Sequence, residues 1–248
     1  MASDYSERRD FTDPRPPHRV PHPVMFQRWN SLTFLHWRYP PESLRPLLPD
    51  ELLLDTFDGA AWVGLTPFLL SSLRPPFVPA FPWISKFPEM NVRTYVTGPD
   101  GKPGIWFFTL EADRLGAVLG ARVLYRLPYR WAHMRVIRHA GHIEYESDRN
   151  HMFGHGRVRI SIRPRAPIKA EVFDNFLTAR FRLYTVAAKR IAYADIEHAP
   201  WPLQRAEVLH LEQDVIENSG VPRPQGDVTV HFSPSVFVRI GPLRLMRS

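Results

Sequence analysis

The stretch from Phe87 to Val96 restricts the fold more than any other part of the chain. Read as a strand, Phe87-Pro88-Glu89-Met90-Asn91-Val92-Arg93-Thr94-Tyr95-Val96 sends Glu89, Asn91 and Arg93 to one face and Met90 and Val92 to the other, because strand side chains alternate with a period of two. A polar stripe backed by an apolar one lines either solvent or a cavity. The flanking Phe87, Pro88 and Tyr95 argue for partial burial. A carboxylate and a guanidinium buried together are retained as a pair or as a clamp on a ligand. An exposed polar face is the competing reading.

The remaining segments also favour strands. Gln27 to Arg38 is rich in Trp, Phe and Thr, and Pro41 to Leu48 reads as a short helix opened by proline. Leu52 to Phe57, the turn Asp58-Gly59 and Ala60 to Leu69 form a hairpin pattern. Pro75, Pro76, Pro79 and Pro82 mark a long loop leading into the polar-striped strand, and Gly98-Pro99-Asp100-Gly101 turns it into a returning strand over Gly104 to Ala112. Arg114 to Tyr125 is the best helix, with Leu115, Val118, Leu119, Val123 and Leu124 at helical spacing, and Pro128 stops it. Strands are expected at 134–138, 142–147, 158–162, 181–187, 191–197, 208–211 and 228–232, a second helix at 171–178 and a helical turn at 214–218. This pattern predicts an α+β fold, a mostly antiparallel sheet or barrel with a few packed helices. Residues 1–23 are read as a proline-rich flexible or draped arm, and residues 24–248 as one domain.

Composition removes several classes of function. With no cysteine there is no disulfide, thiolate metal site or cysteine nucleophile. No apolar run reaches the roughly 18 residues of a membrane-spanning helix, and the first 20 residues lack the apolar core of a secretion signal, so a soluble cytoplasmic protein without a membrane partner is expected. The net charge of +7 is spread along the chain, and Lys86, Lys102, Lys169 and Lys189 are its only lysines. Without a basic block or motif, nucleic acid is not an expected partner. His139 with His142 and His151 with His155 have ligand-like spacing, but no metal motif accompanies them, and turn histidines are the reading; no metal is expected. No Gly-x-Ser-x-Gly elbow or glycine-rich phosphate loop occurs, and no cofactor is expected.

Tyr125, Tyr129 and Arg130 follow the helix at the bend forced by Pro128, where a phenol and a guanidinium can face a carboxylate or carbonyl ligand; core aromatics with a wet tip are the bland alternative. Pro200-Trp201-Pro202 locks a tryptophan into a rigid corner, read as a structural clasp over a barrel edge.

Gln27-Arg28-Trp29, Leu47-Leu48-Pro49, Asp58-Gly59-Ala60-Ala61-Trp62-Val63-Gly64, the 87–96 strand, Leu127-Pro128-Tyr129, Phe176-Leu177-Thr178-Ala179-Arg180-Phe181, Pro200-Trp201-Pro202-Leu203-Gln204 and Ile240-Gly241-Pro242-Leu243 occur in the order found in the bacterial DUF2071, or YqjF-like, proteins. The chain resembles that family from about Met25 onward. The resemblance implies distant kinship with acetoacetate decarboxylase, whose fold is a closed β-cone or double barrel around a cavity and whose lysine forms a Schiff base. The similar place here is Pro128-Tyr129-Arg130, which puts a phenol where the amine should stand, and a phenol forms no imine. Lys86 is the only amine near the polar strand. The resemblance carries over Glu89 and Arg28 as cavity-lining candidates.

The leading expectation is a barrel binding a small carboxylate- or carbonyl-bearing molecule among Arg28, Glu89, Asn91, Arg93, Tyr125, Tyr129 and Arg130. One alternative is a lyase or isomerase using Glu89 as base and Tyr129 as acid; another is a structural protein with a filled barrel. Self-association into a homo-oligomer stays open.

Overall fold

A computed structural model describes residues 5–7, 11–81 and 84–246. Its strands are β1 (Tyr5–Glu7), β2 (Met25–Tyr39), β3 (Leu53–Thr56), β4 (Ala61–Arg74), β5 (Phe87–Thr97), β6 (Pro103–Ala112), β7 (Tyr129–Arg138), β8 (Ile143–Arg149), β9 (Arg157–Pro167), β10 (Arg182–Ala187), β11 (Arg190–His198), β12 (Gln204–Gln213), β13 (Thr229–Ile240) and β14 (Arg244–Leu245). The helices are α1 (Pro41–Leu44), α2 (Leu115–Leu124) and α3 (Val172–Thr178). All strands belong to one 14-stranded sheet, and the extra pairings β5–β6 and β11–β13 close it twice. Two long strands change partner along their length. β6 pairs with β10 at Ile105 and Trp106 and with β7 from Leu110 to Ala112, and β13 pairs with β12 at His231 and Phe232 and with β11 from Val238 to Ile240. The result is two fused barrels that share β5, β4 and β2 as a common wall.

Alternation on that wall decides what each barrel contains. Met90 and Val92 of β5 join Leu35, Trp37, Leu65, Tyr145, Ile160 and Ile162 in a packed apolar core that fills one barrel. The opposite face of β5 turns Glu89, Asn91 and Arg93 into the other barrel, which encloses a cavity of about 300 Å3. A bulge in β2 maintains this division. Ser31 adopts a left-handed backbone (φ 46°), the register with β4 shifts between Asn30 and Leu35, and the cavity side passes from Met25, Gln27 and Trp29 to Leu32.

At the junction of β10 and β6, the Tyr184 ring lies flat on Gly104, where a Cβ would stand 2.6 Å from Tyr184 Cε2 and 2.8 Å from the Arg182 carbonyl oxygen. The tyrosine hydroxyl donates to the Lys102 carbonyl at 2.8 Å, so the β5–β6 hairpin is fastened across β10.

One expectation needs correction. The turn at Asp58-Gly59 exists, with φ of 49° and 69°, but beyond the Phe57–Ala60 bridge its strands part. β3 pairs instead with β5 at Leu53–Thr97 and Leu54–Val96, taking the edge of β5 just past the end of its pairing with β4. The helix expected over 114–125 is α2, although its apolar residues do not form a buried face. Only Val118 is buried, while Leu115, Leu119, Val123 and Leu124 are exposed. The helix lies across the mouth of the cavity and turns Gly116, Ala117, Gly120 and Ala121 inward. The expected helical turn at 214–218 is present, with the Asn218 amide donating to the Asp214 carbonyl at 3.0 Å, and it runs on into a 3-10 turn at Glu217–Ser219.

Of the N-terminal segment, Phe11 packs edge-on against Phe176 at 5.5 Å, and the Val20 amide donates to Glu197 at 2.7 Å. Pro82, counted with the long loop, lies outside the described residues. No helix among the described residues is long and apolar enough to cross a membrane.

Candidate functional site

The cavity of the second barrel is walled mainly by hydrocarbon and aromatic rings, and its polar groups come from β5, β7 and the end of α3 onward, with Gln27 of β2, Thr66 of β4, Tyr125 after α2 and His198 of β11. β5 runs inward from the mouth, where Ile84 is 62% exposed, to Glu89, Asn91 and Arg93, all buried. Pro128 ends α2's continuation and starts β7 at Tyr129, whose hydroxyl donates to Glu89 Oε1 at 2.9 Å. Burial pushes the Glu89 carboxyl up to about 8, against the smaller lowering effect of the Tyr129 hydrogen bond. The Tyr129 phenol is raised well above its ordinary value, first by burial and then by Glu89. Near neutral pH the pair is therefore a neutral carboxyl beside a neutral phenol, with the acid proton left to Glu89 Oε2.

Arg93 has the opposite character. Its guanidinium lies 5.2 Å over the Phe34 ring and 5.9 Å over Tyr95. Its Nε and Nη2 have no hydrogen-bond partner, and among the described residues no carboxylate pairs with it. The two histidines near it are neutral, and the other charge over the Tyr95 ring, at 4.7 Å, is a second cation, Arg180. His36 is held well below its ordinary value by burial and then by Arg93, and burial lowers His198 to about 4. A second cavity arginine, Arg180, is by contrast engaged: Nη1 meets buried Asp55 at 2.5 Å and Nε donates to the Phe176 carbonyl. Asn91 Oδ1 is buried without a partner beside this unpaired cation.

Of the residues singled out from sequence, Glu89, Asn91, Arg93, Tyr125 and Tyr129 come together in the cavity, with the Tyr125 hydroxyl donating to the Gly241 carbonyl at 3.2 Å. Arg28 and Arg130 do not join them, and period two gives the reason. Gln27 and Trp29 face the cavity, so Arg28 between them is exposed. Tyr129 faces it too, so Arg130 points to the other side of β7, where Nη1 donates to the Phe153 carbonyl at 2.6 Å. Lys86 is exposed, and among the described residues no lysine lines the cavity.

Several lining residues were missed. Trp201 is a wall as well as a clasp. It stacks on Trp29 at 6.0 Å and meets Phe34 edge-on, and its Nε1 donates to the Thr178 carbonyl at 2.9 Å. The Pro-Trp-Pro corner was the available signal. Gln27, Trp29 and Arg180 had none beyond their place in the motifs, and His198 had none. Outside the cavity, His139, His142 and Glu144 cluster on the β7–β8 hairpin, with the imidazole rings stacked at 4.3 Å and Glu144 3.3 and 3.1 Å from their Nε2 atoms. Such a trio suits a solvated ion-pair cluster as well as a cation.

The model of DUF2071, a family of uncharacterised conserved proteins, matches residues 26–237. The chain belongs to this family. It is 41% identical over 224 residues to the uncharacterised protein YqjF of Bacillus subtilis (strain 168), covering 89% of this chain and 92% of that one. Among solved structures it resembles acetoacetate decarboxylase from Legionella pneumophila (TM-score 0.62, 12% identity, 96% of this chain and 94% of that one). It also resembles the enduracididine biosynthesis enzyme MppR complexed with pyruvate (TM-score 0.62, 14% identity, 92% and 93%). At such identities the likeness establishes the fold, an acetoacetate decarboxylase-like α+β double barrel, and nothing about activity.

Proposed function

We propose that this DUF2071 protein binds a small carboxylate-bearing molecule in the second barrel, with Arg93 receiving the carboxylate and the Glu89–Tyr129 pair facing a carbonyl further toward the mouth. The observation that carries this reading is the buried, unpaired guanidinium of Arg93. A desolvated cation is costly unless an anion meets it, and guanidinium geometry suits a carboxylate held bidentately. Asn91 supplies a neighbouring polar group. Pyruvate in MppR shows that one relative of this fold accommodates a 2-oxo acid. Imine chemistry is left out of the proposal because, among the described residues, the cavity lining contains phenols and a carboxyl but no amine. The test is thermal stabilisation by pyruvate, acetoacetate and their amides. The acids should raise the melting temperature of the wild type and leave Arg93→Met unmoved, whereas equal effects of acids and amides would refute the reading.

The raised Glu89 carboxyl favours a second reading, that the bound molecule undergoes proton transfer. Ionised Glu89 takes a proton from the carbon next to the ligand carbonyl while the Tyr129 hydroxyl stabilises the enolate oxygen, and the proton then returns to carbon. NMR in D2O decides the point, since deuterium enters that carbon if the step occurs and stays out if the protein only binds. The rate should rise with pH through about 8, as Glu89 ionises.

A further inference from the structure

We infer that the ligand is amphiphilic, a medium-chain carboxylic acid or its oxo derivative, whose tail runs from Arg93 to the mouth beneath α2. This inference rests on the carboxylate reading above and adds what lies beyond the head group. Three observations lead to it.

Glu89, Asn91 and Arg93 lie inward of Phe87 on β5, which pairs with Leu70, and on the outer side the lining includes Leu70, Leu73 and Leu127 and ends at Ile84 and Leu124, each 62% exposed. A small polar acid would leave this apolar length filled only with water, whereas an alkyl chain removes it from water. The inner surface of α2 is also shaped for a chain. Gly116 and Gly120 line the cavity one helical turn apart, and a Cβ at either would meet nothing within 4 Å. Space therefore stands where ordinary helix residues would fill it, although glycine is a poor helix former. Finally, the polar end is fixed independently of the tail by Arg93, whose Nε and Nη2 lack partners. The molecule thus has one cationic end and one apolar open end.

The experiment is calorimetric titration of the whole protein with hexanoate, octanoate and decanoate, alongside octan-1-ol and Gly120→Leu. Each added methylene should tighten binding about fourfold, the equivalent of about 0.8 kcal/mol, until the chain reaches the rim. Gly120→Leu should weaken decanoate at least tenfold more than it weakens hexanoate, because its side chain occupies the channel. The variant is expected to fold, since the position is open and leucine favours helix. A flat chain-length series, or decanoate weakened no more than hexanoate in Gly120→Leu, overturns the tail assignment while leaving the carboxylate reading intact. Octan-1-ol binding as tightly as octanoate overturns the carboxylate reading, and with no acid binding at all both fall.

Discussion

Replacing Glu89 by glutamine tests the electrostatics of the site without a ligand. The folded protein holds the Glu89 proton up to about pH 8, whereas the ordinary value is 4.5. A carboxyl raised on folding contributes stability that is fully present below about 4.5 and is lost as pH rises through 8, because the native state binds the proton more tightly than the unfolded chain. A gap of about 3.5 pH units at about 1.36 kcal/mol each is on the order of 5 kcal/mol in all, of which about 2 kcal/mol falls between pH 6 and 8. The introduced glutamine would keep the shape and can accept from Tyr129, but it does not titrate. Unfolding followed by circular dichroism from pH 5 to 9 should therefore show Glu89→Gln gaining on the wild type. The difference in melting temperature should grow by about 4 to 8 °C between pH 6 and 8 and then level off, at about 2–4 °C per kcal/mol for a chain of this size. A constant offset between the two proteins across that range would show that Glu89 is already ionised in the fold, and the reasoning about its burial would be refuted.

Other outcomes follow from the same geometry. Arg93→Met should leave the ligand-free protein as stable as the wild type or stabilise it by about 1–3 kcal/mol in urea unfolding, because it removes a buried, unpaired charge. Asp55→Ala removes the carboxylate that buried Arg180 meets and should cost about 3–5 kcal/mol in the same assay. Gly104→Ala drives a methyl group into Tyr184 and the Arg182 carbonyl, so a loss of about 1–3 kcal/mol is expected. Tyr129→Phe removes the hydrogen bond that lowers Glu89, so the stability profile of this variant should break at higher pH than that of the wild type.

Much of the architecture was legible because strand alternation and turn chemistry are local. Phe87 to Val96 displayed its two faces, Pro128 marked where α2 stops, and Gly98-Pro99-Asp100-Gly101 gave the β5–β6 hairpin. What stayed hidden depends on the closure of the sheet. The sequence around Asp58-Gly59 specifies a turn, but which strand occupies the neighbouring edge of β5 is a long-range matter, and there β3 takes it. The inward direction of α2 was hidden for a related reason: apolar spacing identifies a buried face only if a core stands opposite, and here a cavity does. Arg28 and Arg130 were separated from the site by period two, a rule readable in the sequence once Tyr129 and Gln27 are taken as inward. The bulge at Ser31, which transfers the cavity side of β2 to Leu32, has no comparable local signature.

The claim beneath all of this is that the guanidinium of Arg93 stands buried and ready for a carboxylate. Calorimetric competition between octanoate and octanamide, in the wild type and in Arg93→Met, measures it directly. The account predicts that the wild type prefers the acid by about a hundredfold, in keeping with the roughly 2–5 kcal/mol cost of losing one partner of a buried charge pair, and that the preference disappears in the variant. Equal affinity for acid and amide in the wild type, or a preference that survives the loss of Arg93, would contradict it.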